Sequence, residues 1–273
     1  MKKQLIAVIA SLAIVLPVMA NDLEDVIAGN HRAISSERDQ YRHPLQTLRF
    51  FGLKDTMTVV EIWPGAKGWY TEILGPYLKD KGKLYAAQFN ADSTSEFYRD
   101  SRAEFINKLA ASPELYSAVQ ESTFNPPVYT DIAPEGSADL VLTFRNVHNW
   151  YMRGGGSERV LSAFSAFYRA LKPGGHLGVV EHKLPESRPL EDQEASGYMR
   201  EDYVIEMARK AGFELVDRSE VNRNAKDNAD HPKGVWTLPP SLRLGEENRA
   251  HYLGIGESDR MTLLFQKTAA KQK

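Results

Sequence analysis

Val59-Val60-Glu61-Ile62-Trp63-Pro64-Gly65-Ala66-Lys67-Gly68 reads as a buried strand that runs into a tight turn and then into a helix. Glycine at Gly65 and Gly68 lets the backbone come close to a ligand, and the free N–H groups of the following helix face it. In open α/β sheets the crevice outside the strand ends is where ligands bind. A packing turn in any α/β domain has two such glycines as well, so the loop takes its meaning from its surroundings.

From Thr58 onward short apolar runs alternate with amphipathic stretches, the pattern of βαβ units and a parallel sheet. The runs are Thr58 to Ile62, Lys83 to Gln88, Asp139 to Phe144 and His176 to Glu181. Helices are expected over 69–79, 94–111 and 157–171, the last with Ser157 as N-cap and Lys172-Pro173-Gly174-Gly175 as stop signal. A further helix over 198–210 is closed by Gly212, and Phe213 to Arg218 reads as another strand. Ahead of the sheet, Leu23, Val26 and Ile27 and then Leu45, Leu48 and Phe51 mark two helices within 22–52, with Pro44 starting the second. Residues 222–258 are rich in Asn, Asp, Pro and Gly and lack periodicity; a segment of that length inside a domain is commonly a lid or binding loop. A last strand falls within 259–268. The expectation is one domain over 21–273, with a core over 53–221.

The first 20 residues differ from the rest. Lys2 and Lys3 precede an apolar run from Leu5 to Leu16, then Pro17, Val18 and Ala20, the layout of an export signal cleaved after Ala20. The run is too short for a comfortable membrane span, so a periplasmic chain with no stable membrane span is expected. Cleavage removes two of the 34 basic residues and none of the 36 acidic ones, so the formal charge moves from −2 to −4. A mildly acidic chain is a poor nucleic-acid binder. The absence of Cys excludes disulfides, thiol nucleophiles and thiolate metal sites. His148, His176, His182 and His231 are too scattered for a local metal motif, and no metal or partner protein is expected.

Four more features accompany the loop: Glu61 near the end of its strand, Ser137-Ala138-Asp139-Leu140-Val141 opening a later one, Leu171-Lys172-Pro173-Gly174-Gly175, and Ala211-Gly212-Phe213. In this order and spacing, over about residues 45–220 and the last strand, the chain resembles class I S-adenosylmethionine-dependent methyltransferases. Its nearest resemblance is to an exported subgroup of predicted methyltransferases with the same Glu-Ile-Trp-Pro-Gly loop and Arg-Asn-Val-His-Asn-Trp segment. The resemblance implies a Rossmann-like, doubly wound, seven-stranded sheet, mostly parallel with one antiparallel strand near the C-terminus. It implies S-adenosylmethionine at the carboxyl end of the first strand and methyl transfer to a small-molecule acceptor. Glu61, Pro64, Gly65, Ala66, Gly68, Gln88, Asn90 and Arg145 are the implied cofactor residues, with Asn146 and His148 on the reacting side.

Two positions depart from the family pattern. Pro64 stands where the loop usually has Gly, which stiffens it and removes one N–H. Neutral Gln88 and Asn90 stand where an acid usually holds the ribose, and an amide lacks the charge-assisted strength of a carboxylate. A non-catalytic exported binding protein with the same fold is therefore the alternative. His148 is either an acceptor's proton-abstracting base, imidazole being suited to that work near neutral pH, or a capping and packing residue. His182 is the next candidate; Glu181 either orients it or alternates outward on the strand, the plainer reading. Trp150 and Tyr151 either shape an acceptor pocket or cover the sheet end. Trp236 either closes over an acceptor or packs on the sheet edge, and Arg38, Tyr41 and His43 either close over the cofactor or are surface residues.

Overall fold

Thr58–Ile62 forms β1, and Lys83–Gln88 (β2), Gln120–Thr123 (β3), Ala138–Phe144 (β4) and Leu171–Leu184 (β5) run parallel to it. Met199–Arg200 (β6), Phe213–Ser219 (β7), Pro232–Val235 (β8) and Arg260–Lys267 (β9) complete the strands of residues 22–268, the part of the chain that the computed structural model describes. The export signal expected over residues 1–20 lies outside those residues. The main sheet has the order β3-β2-β1-β4-β5-β9-β7, and β6 pairs with the far end of β5. Only β9 runs against its neighbours, antiparallel to both β5 and β7. This is the expected doubly wound sheet, and its order reverses between β1 and β4, where open sheets hold ligands.

Three short helices, Leu23–Ile27 (α1), Asp39–Arg42 (α2) and Pro44–Phe50 (α3), precede the sheet. Thr71–Leu78 (α4), Glu96–Ala111 (α5) and Pro113–Tyr116 (α6) flank the first strands. Val147–Tyr151 (α7), Gly156–Ala170 (α8), Asp192–Ser196 (α9), Glu201–Lys210 (α10) and Arg249–Ile255 (α11) follow. Strand alternation sends Val60, Ile62 and Val141 to one face, packed with Phe164 and Phe167 of α8 and Val204 and Met207 of α10. Val59, Leu140 and Leu142 go to the other face, against Leu23, Leu48, Ile73 and Leu74. Burial on both faces explains why β1 and β4 read as nearly continuous apolar runs. Each fully buried Phe or Leu contributes about 1.5–3 kcal/mol relative to exposure.

Several elements differ from the sequence reading. The two expected N-terminal helices are broken into three helices and two 3-10 turns, because His43 takes a left-handed φ of 41° and Pro44 restarts the helix. Strand β3 was missed: Gln-Glu-Ser-Thr lies at the sheet edge with no buried residue, so it has no apolar alternation. Ser157 is not the cap of α8; it lies inside the helix and its hydroxyl bonds the Tyr203 hydroxyl at 3.1 Å. The 198–210 helix splits into β6 and α10. Within 222–258 the chain is ordered into β8 and α11.

Candidate active site

The turn after β1 begins with Trp63 at a left-handed φ of 47°, an unusual state for a bulky residue. Its indole N–H donates to the Phe124 carbonyl at 2.8 Å, and its ring packs against Phe89, Tyr98, Phe124 and Trp150. The chain then turns through Gly65 at φ 71°, where an added Cβ would meet open space. Pro64, Gly65 and Ala66 keep partial contact with solvent. Gly68 serves another purpose: at φ 53° its α-carbon faces the Phe105 ring and the Thr71 hydroxyl, either of which a Cβ would strike below 3.0 Å. It is a packing glycine, and only Gly65 offers the close backbone approach expected of both.

Glu61 is buried and accepts a hydrogen bond from the Thr71 hydroxyl at 2.6 Å. Burial pushes its carboxyl up to about 7, against the opposing pull of the Thr71 bond and Lys108. Gln88 is fully buried and spends both ends of its amide on the protein, donating to the Gly65 carbonyl at 3.2 Å and accepting from the Phe89 N–H at 3.0 Å. It staples the loop to β2, so the ribose contact expected of it is not on offer in this arrangement. Asn90 stays partly exposed, with its side-chain oxygen accepting from the Asp92 N–H.

After β4 the chain makes a second left-handed turn at Arg145, φ 61°, whose N–H donates to the Val180 carbonyl of β5 at 2.7 Å. Asn146 is buried and donates to the Ile62 carbonyl at 2.9 Å, which ties the end of β1 to that of β4. The turn delivers His148 to Glu181: ring Nδ1 lies 2.9 Å from one carboxylate oxygen. Glu181 has no exposed surface and also accepts from the backbone N–H groups of His182 at 2.8 Å and His148 at 3.3 Å. A carboxylate only accepts, so Nδ1 of His148 carries the proton and Nε2 presents a lone pair.

His182 sits beside this pair, ring centroids 5.2 Å apart, with Nδ1 at 2.5 Å from the Ser258 hydroxyl. Burial holds its imidazole well below the usual range, reinforced by His148 and Arg260, so it is neutral. Trp236 stands edge-on to His148 at 6.1 Å, placing the 222–258 segment against the site as a lid residue would. It also packs on the cluster of Leu184, Tyr198, Ala229 and Val235, with the Arg243 guanidinium 4.6 Å from its ring, and Trp236 and Arg243 line a cavity of about 350 Å³. Trp150 is wholly buried and belongs to the core, which resolves it as a cover of the sheet end.

His148, Glu181 and His182 each offer one ligand atom within 4.8 Å of the others, a group that sequence spacing could not reveal. Such a set has the chemistry of a divalent-metal site. Its surroundings oppose a cation, however: Arg260, Arg145 and Arg42 all bear on His182. Arg42 and Arg260, with Arg38, pair with Glu257, and Arg145 bears on it by charge. Arg38 Nε donates to Glu257 at 2.6 Å, Arg42 lies 3.5 Å away, and Arg260 makes a close pair. Burial acts to raise the Glu257 carboxyl, but Arg260, Arg42, Arg145 and Arg38 overcome it and hold it at about 2. The His148–Glu181, His182–Ser258 and Arg38–Glu257 contacts have no sequence signal, because each joins residues 33 or more positions apart.

A sheet ordered 3-2-1-4-5 with an antiparallel strand inserted before the last, a glycine turn after β1 and polar residues after β4 together make the fold of class I S-adenosylmethionine-dependent methyltransferases. Solved structures bear this out. A SAM-dependent methyltransferase from Aquifex aeolicus is 16% identical over 90% of this chain and 99% of its own, with a TM-score of 0.53. Phosphoethanolamine N-methyltransferase 2 of Haemonchus contortus, in complex with S-adenosyl-L-methionine, is 15% identical over 92% of this chain and 59% of its own, with a TM-score of 0.56. The cyclase SpnF is 14% identical over 84% of this chain and 81% of its own, with a TM-score of 0.53. No family model and no curated protein matches the chain. Among the described residues no helix is long and apolar enough to cross a membrane.

Proposed function

We propose that the protein is an S-adenosylmethionine-dependent methyltransferase acting on a small molecule, with His148 as the base that takes the acceptor's proton. The observation that carries this reading is the 2.9 Å bond from His148 Nδ1 to the buried Glu181 carboxylate at the carboxyl ends of β4 and β5. Bound S-adenosylmethionine would supply the methyl group. Gly65 and Ala66 offer the backbone it would lie along, and Asn90 and Arg145 remain partly open to it. Glu181 fixes the tautomer and orientation of His148 and stabilises the ring once it gains a proton. Asn146 positions the β4 turn through its bond to Ile62. Trp236 and the neutral His182 flank the ring and keep water from it.

A second reading is a binding protein that keeps the fold without methyl transfer. The engaged amide of Gln88 and the Glu61–Thr71 bond favour it, since both polar groups expected to meet the cofactor are satisfied inside the protein. The cyclase SpnF carries the same fold under a different activity. Calorimetry with S-adenosylmethionine and S-adenosylhomocysteine separates the two. Saturable heat with both supports the methyltransferase; none with either, on folded protein, ends that reading. We also infer export to the periplasm from residues 1–20; a tagged chain found wholly in the cytoplasmic fraction at full length would overturn it.

A further inference from the structure

We propose that Arg38, Arg42, Arg145 and Arg260 form an anion site that takes a small polyanion, a phosphate or polycarboxylate, as the charged end of the methyl acceptor. The assignment to the acceptor rests on the methyl-transfer reading; the anion site itself does not.

Among the described residues around them, Glu257 is the one carboxylate that pairs with Arg38, Arg42 and Arg260, and Arg145 bears on it by charge without a direct contact. Three positive charges are left over. Arg42 is 2% exposed, and both its terminal nitrogens, Nη1 and Nη2, have no hydrogen-bond partner. Arg260 is equally buried and its Nε has none either. The face of Arg42 rests on the Trp69 ring at 4.5 Å, which attracts the charge but leaves the N–H edge unsatisfied. Arg32, over the same ring, is by contrast paired in bidentate fashion with Asp39 and is not part of the site. Buried donors of this kind are costly unless paired, and planar forks match carboxylate and phosphate oxygens.

The cluster is reachable and well placed. Arg38 keeps 29% of its side chain exposed, and Arg145 is also partly open. Arg260 pairs with His182 across β5 and β9, and Arg145 lies three positions before His148. An anion held here would lie beside the proposed base. The donor cannot use up this charge: S-adenosylmethionine carries one carboxylate alongside an ammonium and a sulfonium, so it brings no net negative charge. A dianion or trianion balances the excess.

The test is calorimetry of the folded protein with inorganic phosphate and with citrate, in chloride buffer and without any methyl donor. Saturable binding with Kd at or below about 1 mM is expected, weakened at least about tenfold by Arg38→Gln. Arg42→Lys, which keeps the charge but loses the fork, should weaken it similarly. Absence of saturable heat overturns the site, and so does equal binding by a variant that melts like wild type. If neither variant folds, the wild-type melting temperature decides: a rise in phosphate over chloride at matched ionic strength supports the site, and no rise overturns it. With S-adenosylhomocysteine present, undiminished phosphate binding supports an acceptor anion. One-for-one competition gives the site to the donor's carboxylate and overturns that assignment. Phosphate binding without any S-adenosylhomocysteine binding sinks the methyl-transfer reading and leaves the anion site standing.

Discussion

Glu181 lies on a strand buried on both faces, and its carboxylate is satisfied by two backbone N–H groups and the ring of His148. Glutamine at this position has the same shape but presents an N–H at one end, which disfavours the tautomer with Nδ1 protonated. Glu181→Gln should therefore lower kcat roughly 10²-fold or more while leaving donor binding intact, measured as S-adenosylhomocysteine release with a mixed acceptor pool. An unchanged kcat would remove the dyad from the mechanism. Glu61 makes a different prediction. Its carboxyl stands at about 7 when folded, against an ordinary 4.5, so the native state holds its proton more tightly than the unfolded chain. That contribution is fully present below pH 4.5 and is lost as pH rises through 7. Glu61→Gln should gain roughly 3 kcal/mol on wild type between pH 4 and pH 8 in urea unfolding, and a pH-independent difference would contradict the assignment.

The loop from β1 to α4 contains two glycines with unlike tasks. Alanine at Gly65 meets open space and bears only the left-handed backbone penalty of about 1–2 kcal/mol. Alanine at Gly68 adds a collision with Phe105, about 1–3 kcal/mol more. Thermal unfolding of Gly65→Ala and Gly68→Ala should rank them in that order, and only the first should weaken ligand binding while leaving the fold intact. The 222–258 segment is held by Asp227, whose carboxylate accepts from the Tyr198 hydroxyl, His231 and the N–H groups of Ala229 and Asp259. Asp227→Ala leaves these donors unpaired, at a cost of about 3–5 kcal/mol. Hydrogen exchange should then quicken across 222–258 while β1 and β4 stay protected; uniform quickening would mean that the segment is part of the core and not a separate cover.

Across the molecule, Glu257 joins the segment before the sheet, through Arg38 and Arg42, to β9 through Arg260. Its folded value of about 2 lies below the ordinary 4.5, so it stabilises the fold above pH 4.5 and stops doing so as pH falls towards 2. The contribution is roughly 3 kcal/mol. An NMR titration of its side-chain carboxyl should find a midpoint near 2; one near 4.5 would mean that the arginine cluster does not close on it in solution.

Much of the sheet was legible because strands buried on both faces leave long apolar runs, as in Val59-Val60 and Leu140-Val141-Leu142. The Gly65 turn and the Pro173-Gly174 stop were legible too, since backbone geometry of that kind is confined to few residue types. Edge strand β3 was not, because half-exposed Gln120–Thr123 buries nothing that alternates. The candidate site was legible only in part. His148 could be picked by its place after β4, yet whether it meets Glu181 or His182 depends on the left-handed turn at Arg145, a conformation Arg does not advertise. Gln88 and Asn90 look interchangeable as sequence, and only packing shows one locked into the loop and the other open. The strands β1, β2, β4, β5, β7 and β9 and the glycine turn after β1 follow from the sequence, because periodicity and turn residues are local properties. Which side chains meet there, and that Arg38, Arg42 and Arg260 converge on Glu257, only the folded chain reveals, because side-chain pairing across distant elements is set by the register and crossing of the finished sheet.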